Sequence, residues 1–269
     1  MSGANSNGPN FNRPNPNEPN PNEPNASRPN ANGPSGSGNT APARCAELIA
    51  VRHGESTANA AFALVPPGEI SGPDADIPLT ALGERQSAAL GETLAAWPPD
   101  RRPEVVLSSP YVRAQRTYDI AAEAARERDV ALPDALIDDR LSDRNMGELE
   151  LLPWSAIAAS HPVEPDRLDS EGVYYYRPPA GESLSDVADR TLSLLGDVNR
   201  RYVGERVLIV AHDAIVAVLH YLIDRPSLVD FAAHLGENPA ANASITRWVD
   251  TDGKLRMTEY NVVDHVPVA

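Results

Sequence analysis

An α/β fold built on a mostly parallel central sheet with covering helices is what this sequence predicts, on two observations. Apolar strand-like runs alternate with segments of helical periodicity from Leu48 to Leu222, the order that builds a parallel sheet. Two of those runs, Leu48-Ile-Ala-Val51 and Val207-Leu-Ile-Val-Ala211, are apolar at every position, as a strand covered on both faces requires.

The 269 residues carry a formal net charge of -15, a pI of about 4.8 and 41% hydrophobic residues. That acidic balance excludes an ordinary nucleic-acid surface and is repelled by anionic membranes. Lys254 is the sole lysine, so a buried anion has to be met by arginine. Cys45 is the sole cysteine, which leaves no intramolecular disulfide and no cysteine metal cluster. No apolar run reaches membrane-spanning length, and the N-terminus lacks the pattern of a signal peptide, so a cytoplasmic protein is expected. Residues 1–42 are rich in Asn, Pro, Gly and Ser, with Pro16-Asn-Glu-Pro-Asn20 repeated as Pro21-Asn-Glu-Pro-Asn25, and have little to bury. They read as a solvated tail, and residues 43–269 as one folded domain.

The first strand, Leu48 to Val51, runs into Arg52-His53-Gly54, where glycine permits a sharp turn or close approach to a ligand. Thr80 to Trp97 reads as a helix with Leu82, Ala89, Leu90, Leu94 and Trp97 on one face, stopped by Pro98-Pro99. Glu104 to Ser108 is a short strand, Tyr111 to about Arg128 a helix, and Ala131 to Ile137 a further strand. Asp138 to Pro179 is punctuated by prolines and reads as an irregular binding segment. Ser183 with Asp186 forms a capping box that opens a helix, whose stripe is Leu184, Val187, Ala188, Thr191, Leu195, Val198 and Tyr202. The strand Arg206 to Ala211 ends at His212, and Ala214 to Leu222 is a buried helix. Two last strands, Ser244 to Val249 and Leu255 to Tyr260, flank a hairpin signal at Asp250-Thr-Asp-Gly253.

Two strands thus end in histidine, and a third runs into Ser109-Pro110 ahead of Arg113. In a parallel sheet such ends lie side by side, at the edge where ligands bind. Two imidazoles and two guanidiniums, without metal-ligand spacing, suit a phosphoryl group. Arginine offers paired donors to its oxygens, and a neutral imidazole can attack phosphorus.

Arg52-His53-Gly54-Glu55-Ser56 with Asn59, Pro78-Leu-Thr80 with Gly83 and Gln86, Ser108-Ser109-Pro110 with Arg113 and Thr117, Gly181-Glu182-Ser183-Leu184, and His212 at a strand end occur in one order. Together they resemble the histidine phosphatase superfamily, in its phosphoglycerate mutase-like branch. The resemblance implies a three-layer α/β/α sandwich and a two-step reaction that needs neither metal nor cofactor. By match of motifs, His53 would be the nucleophile, Arg52 and Arg113 the phosphate-binding arginines, His212 a further ligand of the transferring group, and Asn59 an additional pocket residue. Leu141-Ser-Asp143 ahead of Gly147 matches the family's acid motif. It implies Asp143 as proton donor, with a pKa raised toward working pH, and Glu148 as the second candidate.

The expected activity is metal-independent hydrolysis of small phosphomonoesters. Mutases of the family carry a longer insertion than the segment from Asp143 to Glu182, which makes mutase chemistry the alternative and a phosphate-binding module without turnover a third reading. Asp213 departs from the glycine common after the second histidine. As a carboxylate beside a phosphate is repulsive, its side chain is expected to turn away and serve the start of the helix. Tyr174-Tyr175-Tyr176 either lines the pocket mouth or packs at its rim. His161, His220, His234 and His265 fall in no motif and read as structural or exposed. Substrate identity and oligomeric state are not encoded in any of these signals.

Overall fold

The computed structural model describes residues 44–64, 67–68 and 70–267; the expected tail, residues 1–42, lies outside them. The sheet has the order β3-β2-β4-β1-β5-β6, made of β1 (Glu47–Arg52), β2 (Val105–Ser108), β3 (Ala135–Ile137), β4 (Arg206–Ala211), β5 (Ile245–Thr251) and β6 (Lys254–Val262). The first four run parallel, β5 lies antiparallel to β1, and β6 antiparallel to β5. The sheet is mostly parallel, as expected, with an antiparallel hairpin at one edge. Asp252 and Gly253 turn that hairpin with φ of 52° and 76°, the pair of left-handed residues that a two-residue loop favours.

Alternation along the central strands divides the core into two layers. Leu48 and Ala50 of β1, with Val207, Ile209 and Ala211 of β4, face one side. Ile49, Val51, Leu208 and Val210 face the other. The first face is covered by α6 (Leu184–Arg201), α7 (Asp213–Asp224) and α8 (Leu228–Glu237), through side chains such as Val187, Val218 and Phe231. The second is covered by α2 (Ala81–Ala96) and α3 (Val112–Arg126), through Leu90, Leu94, Tyr118 and Ala121. This is the three-layer sandwich. A run with no polar position is the signature of a strand buried on both faces, which is why β1 and β4 were legible.

The segment expected to be irregular is better ordered than its prolines imply. It holds α4 (Trp154–Ser160) and α5 (Glu164–Glu171), with Pro153 as N-cap of the former and Pro165 in the first turn of the latter. At those positions proline gives up no hydrogen bond and presets the backbone angle, so it starts a helix rather than breaking one. Leu149, Ile157, Leu168 and Tyr176 close a small satellite core there. β3 is shorter than its apolar run because Pro133 interrupts it, and the Pro133 carbonyl accepts a hydrogen bond from the Tyr118 hydroxyl. On α6 the buried residue is Leu194, with Leu195 only partly covered. The helix α8, capped by Ser227 with Asp230, and the short α1 (Thr57–Phe62) were not anticipated.

Candidate active site

β1 and β4 are neighbours in register, Arg52 opposite Ala211, so the residues that follow them emerge side by side. The His53 N–H continues the ladder to the Ala211 carbonyl at 2.9 Å, and Ser109 N–H does the same to Val210 at 3.0 Å. The chain after His53 is then locked onto α2 and α3. Gly54 N–H donates to Thr117 Oγ1 at 3.0 Å, and Glu55 N–H to Gln86 Oε1 at 2.8 Å. Thr80 Oγ1 donates to the Glu55 carboxylate at 2.7 Å. A Cβ on Gly83 would stand 2.1 Å from the Glu55 carbonyl oxygen, so only glycine lets the loop lie this close to the helix. From the other side, Asn242 Nδ2 donates to the His53 carbonyl at 3.1 Å.

The protonation of His53 follows from its partners. Nδ1 is 2.7 Å from the Gly54 carbonyl, which only accepts, so Nδ1 carries the hydrogen. Nε2 therefore holds the lone pair, and it accepts from Arg113 Nε at 3.2 Å. Burial, the adjacent His212 and the guanidiniums of Arg52 and Arg113 hold the His53 pKa well below the ordinary histidine value. The ring is a neutral base at physiological pH.

Around it lies a cavity of about 360 Å³ lined by five of the six expected site residues: Arg52, His53, Asn59, Arg113 and Asp143. The sixth, His212, is fully buried behind the wall, its ring 5.2 Å from that of His53. His212 Nε2 pairs with Ser109 Oγ at 2.9 Å, while its Nδ1 faces Asp143 Oδ2 at 3.2 Å without hydrogen-bond alignment. Arg52 is anchored by one donor on the Ala240 carbonyl at 2.7 Å. Asn59 Oδ1 accepts from Ser56 N–H, Ser56 Oγ and Asn242 Nδ2, which leaves its own amide N–H groups to serve the cavity.

Asp143 stands between cation and imidazole, 2.9 Å from Arg113 Nη2. Its backbone is held by Arg190, whose guanidinium donates to the carbonyls of Arg140 at 2.6 Å, Ser142 at 2.9 Å and Asp143 at 2.9 Å. Arg190 is itself oriented by Glu182, so the Gly-Glu-Ser motif acts by positioning the acid loop, not by touching the cavity. Gly147 closes that loop with φ of 58°; a Cβ there would meet the Pro179 carbonyl oxygen at 2.1 Å. The expected upward pKa shift of Asp143 is not what the ligand-free site produces. Burial favours its protonated form, but His212 and Arg113 outweigh burial and hold it far below the usual carboxylate range.

Two further expectations are revised, and one left open is decided. Asp213 does not turn away: it lines the cavity with its carboxylate 4.0 Å from Arg52, drawn by that charge, while His212 is the residue at the N-cap of α7. Glu148 is exposed and outside the wall, and the carboxylate beside Asp143 there is Glu150. Burial, reinforced by Asp74 and Asp143, pushes the Glu150 pKa up. The tyrosines pack and do not line the cavity: Tyr174 lies against Tyr221 and Phe231, and Tyr176 donates to Glu164 at 2.8 Å. His220 pairs with Asp224 and His265 with the Ala243 carbonyl, away from the cavity, as expected of structural histidines. Sequence reasoning missed Asp74, Arg144 and Glu150 on the wall and Asn242 behind it. Only Glu150 carried a signal, lying seven residues past Asp143 in the same short loop.

A buried anion seat with an unprotonated ring nitrogen beside it is built for moving a phosphoryl group, and the class this fold and site define is the phosphoric monoester hydrolases. The chain belongs to the histidine phosphatase superfamily (branch 1), whose family model matches residues 48–263. It is 30% identical over 181 residues to the metal-independent phosphoserine phosphatase of Arabidopsis thaliana, covering 67% of this chain and 70% of that protein. It is 33% identical over 187 residues to 2,3-bisphosphoglycerate-dependent phosphoglycerate mutase 2 of Gloeobacter violaceus, covering 68% and 77%. Among solved structures, mycobacterial glucosyl-3-phosphoglycerate phosphatase complexed with VO3 superposes with a TM-score of 0.62 at 26% identity, covering 80% of this chain and 98% of that one. Among the described residues, no helix is long and apolar enough to cross a membrane.

Proposed function

We propose that the protein hydrolyses small phosphomonoesters in two steps through a phosphohistidine on His53. The observation that carries this reading is the fixed tautomer: Gly54 takes the Nδ1 hydrogen and leaves the Nε2 lone pair on the cavity side, beside Arg113. In the first step Nε2 attacks phosphorus and the ester P–O bond breaks. Arg52, Arg113 and Asn59 on the cavity wall bind the equatorial oxygens, where charge develops, and His212 behind the wall offers the Nδ1 that has no aligned hydrogen bond within the protein. The leaving oxygen takes a proton from Asp143. A phosphoryl dianion that engages Arg113 and His212 removes the stabilisation of the Asp143 anion and adds a negative charge beside it. Both effects raise its pKa on substrate binding. In the second step water attacks phosphorus, its proton passes to Asp143, and the P–N bond breaks to restore His53.

Hydrolysis is preferred to mutase chemistry on the character of the wall. Asp74, Glu150 and Asp213 line the cavity. With Asp143 they offset Arg52, Arg113 and Arg144 of the same wall, which leaves no surplus of positive charge for the second phosphate of the bisphosphorylated intermediate that a mutase has to keep between half-reactions. We also infer a cytoplasmic location, supported by the acidic composition and the single, unpaired Cys45.

The test is turnover of p-nitrophenyl phosphate against isomerisation of 3-phosphoglycerate with a bisphosphoglycerate primer. Phosphate release is expected from the first and only traces of isomer from the second. Robust isomerisation with negligible phosphate release reverses the choice. His53→Ala is expected to abolish both hydrolysis and acid-labile phosphate on the protein, and full retention of activity removes His53 as nucleophile.

A further inference from the structure

A guanidinium has five N–H donors. Those of Arg113 are all engaged within the protein. Nε donates to His53 Nε2 at 3.2 Å. Nη1 donates to the carbonyl oxygen of Asp74 at 2.7 Å and to its Oδ1 at 3.0 Å. Nη2 donates to Asp74 Oδ2 at 3.1 Å and to Asp143 Oδ2 at 2.9 Å. The two carboxylate oxygens of Asp74 thus sit on the two terminal nitrogens in the forked arrangement that a phosphoryl group adopts on arginine. Both side chains are well covered, 4% exposed for Arg113 and 12% for Asp74, so water does not substitute for the pair. No N–H of Arg113 is left for a ligand.

We propose that Asp74 is an internal occupant of the phosphate seat, exchanged for two oxygens of the incoming phosphoryl group. The proposal rests on the reading of Arg113 as a phosphate-binding residue. Exchange needs only the side chain to move. The main-chain carbonyl of Asp74 keeps its bond to Nη1, so the guanidinium stays oriented while rotation about χ1 carries Oδ1 and Oδ2 off the fork. One N–H on each terminal nitrogen is then free and parallel to the other. The displaced carboxylate has room, since Asp74 lines the same cavity.

Exchange of this kind selects ligands by charge. A phosphomonoester dianion brings two strongly charged oxygens in the right geometry and gains more from the fork than Asp74 does. A phosphodiester or a sulfate ester carries a single charge and gains no more than the carboxylate it has to displace. Asp74 thereby lowers affinity for all anions by a common factor, and a terminal phosphomonoester is the ligand that gains enough from the fork to bind in spite of it.

The test compares the whole chain with its Asp74→Asn and Asp74→Ala variants, titrated by calorimetry with inorganic phosphate and with methyl sulfate, a singly charged ester. Asp74→Asn keeps shape and an acceptor oxygen on the fork but removes the charge, so it serves even where the alanine variant folds poorly. Both variants are expected to bind phosphate about tenfold more tightly, to gain by a similar factor for methyl sulfate, and to show a lower KM for p-nitrophenyl phosphate. Unchanged or weaker phosphate binding in Asp74→Asn, with a melting temperature like the parent's, overturns the proposal and makes Asp74 a positioning residue for Arg113. Because binding is read without turnover, an absence of hydrolysis in the parent protein would count against the proposed reaction and leave the affinity comparison intact.

Discussion

His53 is held neutral by its surroundings, and that has a price in stability at acid pH. In the unfolded chain the ring protonates near the ordinary histidine value; in the folded protein it does so only well below it. As pH falls through about 6.5, the unfolded state takes up a proton that the native state refuses, so stability declines with a limiting slope of about 1.4 kcal/mol per pH unit for each such group. His234 and His265, also lowered by burial, act in the same direction. Denaturant unfolding at pH 7.5 and pH 5.5 is expected to show this loss, and His53→Gln to reduce it by about 1 kcal/mol. An equal loss in both proteins would mean that the native ring titrates normally. At this scale the sequence was readable where chemistry follows a strand end: Arg52, His53 and His212 stand at the ends of apolar runs. Asp74 and Asn242 follow no such signal. They reach the site because the sheet order brings distant loops to one edge, and loop carboxylates and amides look alike until that edge is known.

Among the elements, the acid loop depends on α6 more than on its own residues. Arg190 holds three consecutive-turn carbonyls of the loop and is only 17% exposed. Charged hydrogen bonds of this kind are worth about 1.5–3 kcal/mol each when broken. Arg190→Ala is expected to cost about 2 kcal/mol in stability and, by misplacing Asp143, about 10- to 100-fold in kcat. Phosphate binding, which uses other side chains, is expected to change by less than about threefold, as competitive inhibition by phosphate would measure. A uniform loss of both would place Arg190 in the general framework instead. The capping box of α6 announced that helix to its first residue, with Ser183 accepting from Asp186 N–H and Asp186 accepting from Ser183 N–H. Proline in α4 and α5 gave the opposite impression, because the same residue that ends a helix from within begins one at its first turn.

Over the whole molecule, the two-faced apolar strands fixed the layering, and the motif order fixed which edge would carry the site. What was not readable is the C-terminal contribution. β5 enters the sheet beside β1, and the segment just before it supplies Asn242 to the His53 carbonyl and the Ala243 N–H to the carbonyl of Arg52 at 3.0 Å. At the other end, the buried residues among those described begin with Cys45 and Glu47. A chain beginning at residue 44 is expected to melt within about 2 °C of the full protein and to keep its kcat. A larger shift by calorimetry would give the tail a structural role. The placement of β1 also shapes how the protein comes into being. β1 precedes its partners β4 and β5 by about 150 and 190 residues. At roughly 5–20 residues per second, Leu48-Ile-Ala-Val51 stays unpaired for on the order of 10–40 s in the nascent chain. Such a long-range closure slows folding and exposes a sticky apolar strand throughout synthesis. Nascent-chain yield is therefore expected to be limited by the wait of the strand that leads into His53 for its neighbours.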